Sequence, residues 1–166
     1  QGVDFIIECL KAKEKDERVF FVICGKGTEY GKIQNYINQS NPSNVLLVNG
    51  LPKEEYEELL CVCDIGLVFL DWCFTIPNFP SRLLSYLLHS MPVVVCTDRV
   101  CDMGQIASDN GFGWRCSSND VNSFCECINL ALASDRETMG KRAFDFLKNE
   151  YSTETAYKII MDKIGI

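Results

Sequence analysis

Apolar runs with no internal alternation constrain this chain more than any other feature. Val19 to Cys24, Val45 to Val48, Ile65 to Leu70 and Pro92 to Cys96 are apolar almost throughout, and Gly113 to Cys116 reads as a short fifth strand. An alternating strand has one wet face, whereas a strand that is apolar at every position is buried on both, as in a parallel sheet covered by helices. Helical spacing fills the intervals: Val3 to Lys15, Thr28 to Asn38, Glu54 to Cys63, Ser81 to Ser90, Met103 to Asn110, Asp120 to Ala133 and Arg136 to Glu150. Pro52 opens the third of these, where its missing N–H is harmless, and Ser152 caps a last helix to about Ile164. The repeated β–α order predicts an α/β fold: a Rossmann-like open parallel sheet with helices on both faces, as a single domain over 1–166. The chain enters on a helix, and such a domain normally has a strand first. The expectation is therefore a fragment of a longer two-domain protein, cut just inside a domain boundary. There is no internal repeat, low-complexity stretch or linker.

Charge and cysteine content narrow the class. A net charge of −7 lacks the basic footprint that nucleic acid requires, so no nucleic-acid partner is expected. It does not argue against a small anion, which one basic loop can hold. Ten cysteines would suggest a disulfide framework in a small secreted chain. Here many sit inside apolar runs, as in Val22-Ile23-Cys24 and Val94-Val95-Cys96, where a thiol acts as a small hydrophobe. The close pairs Cys61/Cys63 and Cys125/Cys127 are C-x-C, not zinc spacings. The expectation is reduced structural cysteines and a cytoplasmic protein. No signal peptide and no apolar stretch of about twenty residues stands out.

In an open parallel sheet, ligands bind beyond the carboxyl ends of the strands. Three loops there are equipped for it. Gly25-Lys26-Gly27 offers close backbone approach and a cation, or else a tight turn with a solvated lysine. Asn49-Gly50-Leu51-Pro52 could let a flat base lie on the main chain, or simply turn into a helix. Asn78-Phe79-Pro80-Ser81-Arg82 leads into a helix start, an anion-favouring place to which Ser81 adds a hydroxyl and Arg82 a guanidinium fork. The bland alternative is that Ser81 only caps and Arg82 is solvated. The single histidine, His89, has no evident carboxylate or metal partner. Asp64, Asp98 and Asp102 fit either turns or sugar-hydroxyl acceptors, and Trp72 and Phe74 either shield a ligand or cover the core.

The run Pro80-Ser81-Arg82-Leu83-Leu84-Ser85-Tyr86-Leu87-Leu88-His89-Ser90-Met91-Pro92-Val93-Val94-Val95 resembles the P-S-K-[LF]-[LF]-E-Y-[LM]-A-x-G-[KM]-P-V-[VI] signature of retaining GT-B glycosyltransferases of family four, the group 1 glycosyl transferases. Gln1-Gly2-Val3-Asp4 resembles that family's K-G-x-D helix start, Gly25-Lys26-Gly27 its G-x-G turn and Val48-Asn49-Gly50 its F-x-G turn. Tyr56 to Leu70, Gly111-Phe112-Gly113 and Met139 to Ala143 also fit, so the likeness spans almost the whole chain. It implies a donor domain that binds a nucleoside-diphosphate sugar and faces an N-terminal acceptor domain. By that likeness the backbone near Gly50, Leu51 and Pro52 meets the base, and the amides from Asn78 to Arg82 hold the diphosphate. Many members carry E-x7-E, whose carboxylates meet sugar and ribose; Pro77 and Ser85 stand in those places, and Gln1 replaces the lysine of K-G. Ser85 keeps one hydrogen bond for the ribose. With no D-x-D present, no cofactor and no obligatory metal is expected. The acceptor would be a lipid-linked sugar at the inner membrane face, in capsular, lipopolysaccharide or exopolysaccharide assembly. The fragment alone is expected to be inactive.

Two other readings remain at this level. One is a non-catalytic module on the same fold, which the missing carboxylates favour. The other is an unrelated Rossmann-type enzyme, against which stand the absent G-x-G-x-x-G and early acidic pair.

Overall fold

A computed structural model describes residues 2–74, 76 and 78–165. Along the chain run α1 (Val3–Ala12), β1 (Phe21–Cys24), α2 (Tyr30–Ser40), β2 (Val45–Val48), α3 (Lys53–Cys61), β3 (Gly66–Phe69) and α4 (Arg82–Leu88). Then follow β4 (Val93–Thr97), α5 (Met103–Asp109), β5 (Gly113–Ser117), α6 (Val121–Ala133), α7 (Arg136–Glu150) and α8 (Thr153–Ile164). Gln1 and Pro77, two positions of the family likeness, lie outside the described residues.

All strands pair in parallel, as the unbroken apolar runs demand, and helices cover both faces. The expectation of one continuous sheet needs a correction. The strands form two ladders, β1–β2 and β3–β4–β5, with no hydrogen-bonded pairing between β1 and β3. β4 is central to the larger ladder, and every one of its residues is buried. Its alternate side chains serve different cores. Val94 and Cys96 join Phe5, Cys9 and Leu10 of α1 and Phe124, Cys127, Ile128 and Ala131 of α6. Val93 and Val95 meet Leu83 and Leu87 of α4, Met103 and Ala107 of α5 and Ala143 of α7. Each such fully buried aliphatic side chain contributes roughly 1.5–3 kcal/mol. The first core also takes in Phe21 and Val45, so both ladders share one packed interior.

Element ends shift where a side chain finds a better use than the expected one. β1 begins at Phe21, because Phe20 is 61% exposed and the Val19 amide closes a turn onto the Asp16 carbonyl at 3.2 Å. α1 stops at Ala12 because Lys13 turns inward, its Nζ 3.0 Å from Asp16 Oδ2 and 3.0 Å from Asn129 Oδ1. Glu29, expected to help start α2, ion-pairs instead with Lys32 at 2.6 Å, and the helix begins at Tyr30. Its far end is set by Asn41, in the left-handed region at φ 46°. Asp120, Asp135 and Ser152 do cap α6, α7 and α8, each side chain accepting a backbone N–H three residues on.

All ten cysteines are free thiols. Cys9, Cys96, Cys116 and Cys127 are buried, and Cys116 Sγ lies 3.1 Å from Cys96 Sγ across the β4–β5 ladder. Burial pushes the Cys9 thiol up, with Cys116 and Cys125 adding to the effect. Cys127 is pushed up first by its hydrogen bond to Cys116 and then by burial. Such thiols are packing groups, not nucleophiles.

Candidate functional site

Within each ladder the strands run the same way, so the loops after β3 and β4 emerge at one edge of theirs and those after β1 and β2 at one edge of the other. Two of the expected loops touch there. Gly50 turns with φ +61°, its N–H donating to the Val48 carbonyl at 2.9 Å, and the Lys26 side chain lies across its half-buried backbone. A Cβ on Gly50 would meet Lys26 Cε at 2.5 Å. Gly25 and Gly27 are different: a Cβ at either would meet nothing within 4 Å, so packing does not demand glycine and the space above them is open. The Gly25 N–H is itself engaged, donating to the Val48 carbonyl at 3.1 Å. Leu51 is half-buried, and Pro52 occupies the cap position of α3 with an extended backbone.

The loop between β3 and α4 is tied down at several points. Asp71 Oδ1 accepts the Cys73 amide at 2.9 Å, a local Asx turn. The Asn78 carbonyl accepts from Cys101 Sγ at 3.5 Å. Phe79 stacks on Tyr151 at 5.4 Å, and Tyr151 leans on Phe146, which contacts Phe112. Phe79 is thus an anchor of the loop as well as a candidate wall of the site. The Arg99 guanidinium sits 5.7 Å from the centre of the Trp72 ring, clasping the β4–α5 loop to this one. Gly2, left-handed at φ +61°, brings the start of α1 to the same edge, against Leu70 and Asp71.

At α4 the capping alternative for Ser81 fails. Ser81 holds the N-cap position but its side chain makes no cap bond; the first turn closes by Leu83 and Leu84 amides donating to the Pro80 and Ser81 carbonyls, both at 3.0 Å. Arg82 and Tyr86 stand one turn apart on α4, and Tyr86 lays its ring on Gly66, its hydroxyl donating to the Leu67 carbonyl at 3.3 Å. Tyr56 of α3 meets Tyr86 from the other side. Burial pushes both phenols up, and the Arg82 guanidinium, near enough to act on each, pulls them part of the way back. The sequence reading missed the Tyr56–Tyr86 pair; the four-residue spacing of Arg82 and Tyr86 was the available signal.

Ser85 lies midway along α4 and His89 at its end, with His89 Nδ1 2.8 Å from the Ser85 carbonyl. That contact accounts for the histidine as a helix-end group. Asp98 is a turn residue: Oδ1 accepts the Val100 and Cys101 amides at 2.7 and 3.0 Å. Asp64 faces Arg136 at 3.9 Å. Among the described residues no group of three or more His, Cys, Asp or Glu is arranged to hold a metal ion, and no helix is long and apolar enough to cross a membrane.

Residues 1–146 match the profile of the glycosyl transferases group 1 family. The chain belongs to that family. Among curated relatives it is similar to a probable glycosyltransferase, WbjE of Pseudomonas aeruginosa, at 22% identity over 152 residues, covering 92% of this chain and 38% of that protein. It is also similar to an uncharacterized glycosyltransferase, MJ1178 of Methanocaldococcus jannaschii, at 24% identity, covering 89% of this chain and 40% of that protein. The chain therefore spans about two fifths of the length of these relatives. In three dimensions it resembles a TarM mutant of S. aureus, solved with fondaparinux, alpha-GlcNAc-glycerol and UDP, with a TM-score of 0.74 and 21% identity over 96% of this chain and 32% of that one. WaaG, a glycosyltransferase involved in lipopolysaccharide biosynthesis, follows at 0.68 and 18%, over 97% of this chain and 43% of that one. The shared fold is the Rossmann-like half of a GT-B glycosyltransferase.

Proposed function

We propose that this chain is the donor-binding half of a retaining glycosyltransferase, holding a nucleoside-diphosphate sugar at the carboxyl edge of its strands. The observation that carries the reading is the meeting of Lys26 with Gly50, which sets a cation against the turn that leads into α3, where Tyr56 feels the Arg82 guanidinium. Gly25, Lys26 and Gly27 would line one side of the donor, with Gly50, Leu51 and Pro52 against the base. Asn78, Phe79, Ser81 and Arg82 would face the diphosphate, and Ser85 the ribose. Binding the charge that builds on the leaving diphosphate is the main chemical help such a site gives. The UDP in the TarM structure supports a nucleotide donor.

In this reading the whole protein transfers the sugar to a hydroxyl with retention, and an N-terminal acceptor domain completes the cleft. WaaG's part in lipopolysaccharide biosynthesis supports a role in capsular, lipopolysaccharide or exopolysaccharide assembly, with a lipid-linked acceptor at the inner membrane face and a cytoplasmic protein. The donor would bind with no other cofactor and no obligatory metal, so transfer should survive EDTA. A second reading, a binding module without transfer, is favoured by Ser85 standing where the family carries a glutamate.

Calorimetric titration with UDP, GDP and their sugars, on this chain and on Arg82→Ala, tests the site. A charge-assisted hydrogen bond of about 1.5–3 kcal/mol predicts a roughly 10- to 100-fold loss of diphosphate affinity in the variant. Failure of the full-length protein to bind any of them would sink the reading. Binding without turnover would select the second one.

A further inference from the structure

The loop after β2 and the loop before α4 rise from different ladders, and among the described residues no strand pairing joins β1–β2 to β3–β4–β5. Two tyrosines span the interval between these loops. Tyr56 closes the first turn of α3, its amide donating to the Pro52 carbonyl at 3.0 Å, and is thereby tied to the Gly50-Leu51-Pro52 turn. Tyr86 is seated on β3. Its ring lies so close to Gly66 that a Cβ there would stand 2.4 Å from Tyr86 Cδ2, and its hydroxyl donates to the Leu67 carbonyl at 3.3 Å. The two phenols hydrogen-bond to each other. Arg82 stands one turn before Tyr86 on the same side of α4, half-buried, with its guanidinium close enough to act on both phenol oxygens.

Donor and acceptor chemistry gives the arrangement a use. A phenol both donates and accepts, whereas a guanidinium only donates. Tyr86 gives its one hydrogen to Leu67, so what it offers its neighbours is the lone pairs of its oxygen. A guanidinium on a long flexible stem gains from fixed acceptors, because they hold its fork in one orientation before a ligand arrives. We propose that Tyr56 and Tyr86 are positioning residues, which together aim the Arg82 fork at the diphosphate of the donor and set its distance from the turn at Gly50. Neither tyrosine has to touch the donor. The proposal rests on the donor reading, in which Arg82 meets the diphosphate and Gly50 the base, and it adds the pair that fixes one relative to the other. Phenylalanine at either position keeps the ring and removes only the oxygen, so packing and aiming come apart.

Calorimetric titration of the full-length protein with UDP and with GDP tests it, on the parent, Tyr56→Phe, Tyr86→Phe, Arg82→Ala and the two double variants that combine Arg82→Ala with a phenylalanine. Each phenylalanine variant should bind about 3- to 10-fold more weakly than the parent, the worth of one hydrogen bond. In the Arg82→Ala background the same substitutions should cost nothing further, a coupling that loosened packing would not produce. Tyr36→Phe loses a phenol hydroxyl that donates to Glu14 instead, and it should bind like the parent. An equal loss in Tyr36→Phe would overturn the proposal. No binding by the parent, or Arg82→Ala binding as tightly as the parent, would remove the donor reading and the proposal with it. A loss in Arg82→Ala alongside parent-like binding by either phenylalanine variant, or alongside losses that simply add, would overturn this proposal alone and leave the donor reading standing.

Discussion

Lys26 crosses Gly50 so closely that a Cβ on the glycine would stand 2.5 Å from Lys26 Cε. Lysine can swing aside, but the turn cannot: Gly50 needs φ +61°, where an L side chain costs roughly 1–2 kcal/mol. Gly50→Ala should therefore lower the thermal midpoint by a few degrees and also weaken donor binding by displacing Lys26. Lys26→Ala should weaken binding while leaving the midpoint near that of the parent. Calorimetry and thermal melts of the two variants separate these effects, and equal midpoints for both would contradict the account.

Asp16 links a buried lysine to an exposed arginine, and hydrogen bonds from Arg18 first and Lys13 second hold its carboxyl well below the usual carboxylate range. A carboxyl depressed by folding stabilises above its unfolded value of about 3.9 and loses that contribution as the pH falls below it. Asp16→Asn should melt a few degrees lower than the parent at neutral pH, with the gap closing below about pH 4. Most of the effect should come from Lys13, whose charge is buried, because exposed Arg18 is screened by water. Melting curves across the acid range check this.

Gly140 of α7 backs directly onto the turn between α4 and β4, where a Cβ would fall on the Ser90 carbonyl oxygen. Neither partner can yield easily, since both are backbone and Ser90 already sits at φ 53°. Gly140→Ala should destabilise by about 1–3 kcal/mol, as overpacking does, despite alanine's better helix propensity. Chemical denaturation measures it; a stabilised variant would show that α7 can shift freely.

Thiol reactivity should divide the cysteines cleanly. Exposed Cys61 and Cys73 should react with a disulfide reagent within minutes, whereas Cys9, Cys96, Cys116 and Cys127 should react only on unfolding. Mass spectrometry of partly labelled protein reads the order.

The elements were legible because their patterns are local. Val93 to Cys96 is apolar and fully buried, and Arg136 to Glu150 opens behind a capping aspartate. What escaped the sequence is what joins distant residues. Nothing in Val22 or Leu67 announces that β1 and β3 belong to separate ladders, because apolar content reports burial and not pairing. Likewise Lys13, within a run of charges, gave no sign that it would bury itself against Asn129. At the site, the loops could be placed from strand direction alone. Contacts such as Lys26 on Gly50 and Tyr56 with Tyr86 needed the folded chain.

The stack of Phe79 on Tyr151 couples a loop that would touch the donor to a residue far along the chain, at the junction of α7 and α8. Each ring covers one face of the other, so a change in one alters the contact of both. Over evolutionary time the pair should drift together, aromatic with aromatic or small with small, so a family alignment should show covariation between these two columns even where the rest of the loop has diverged.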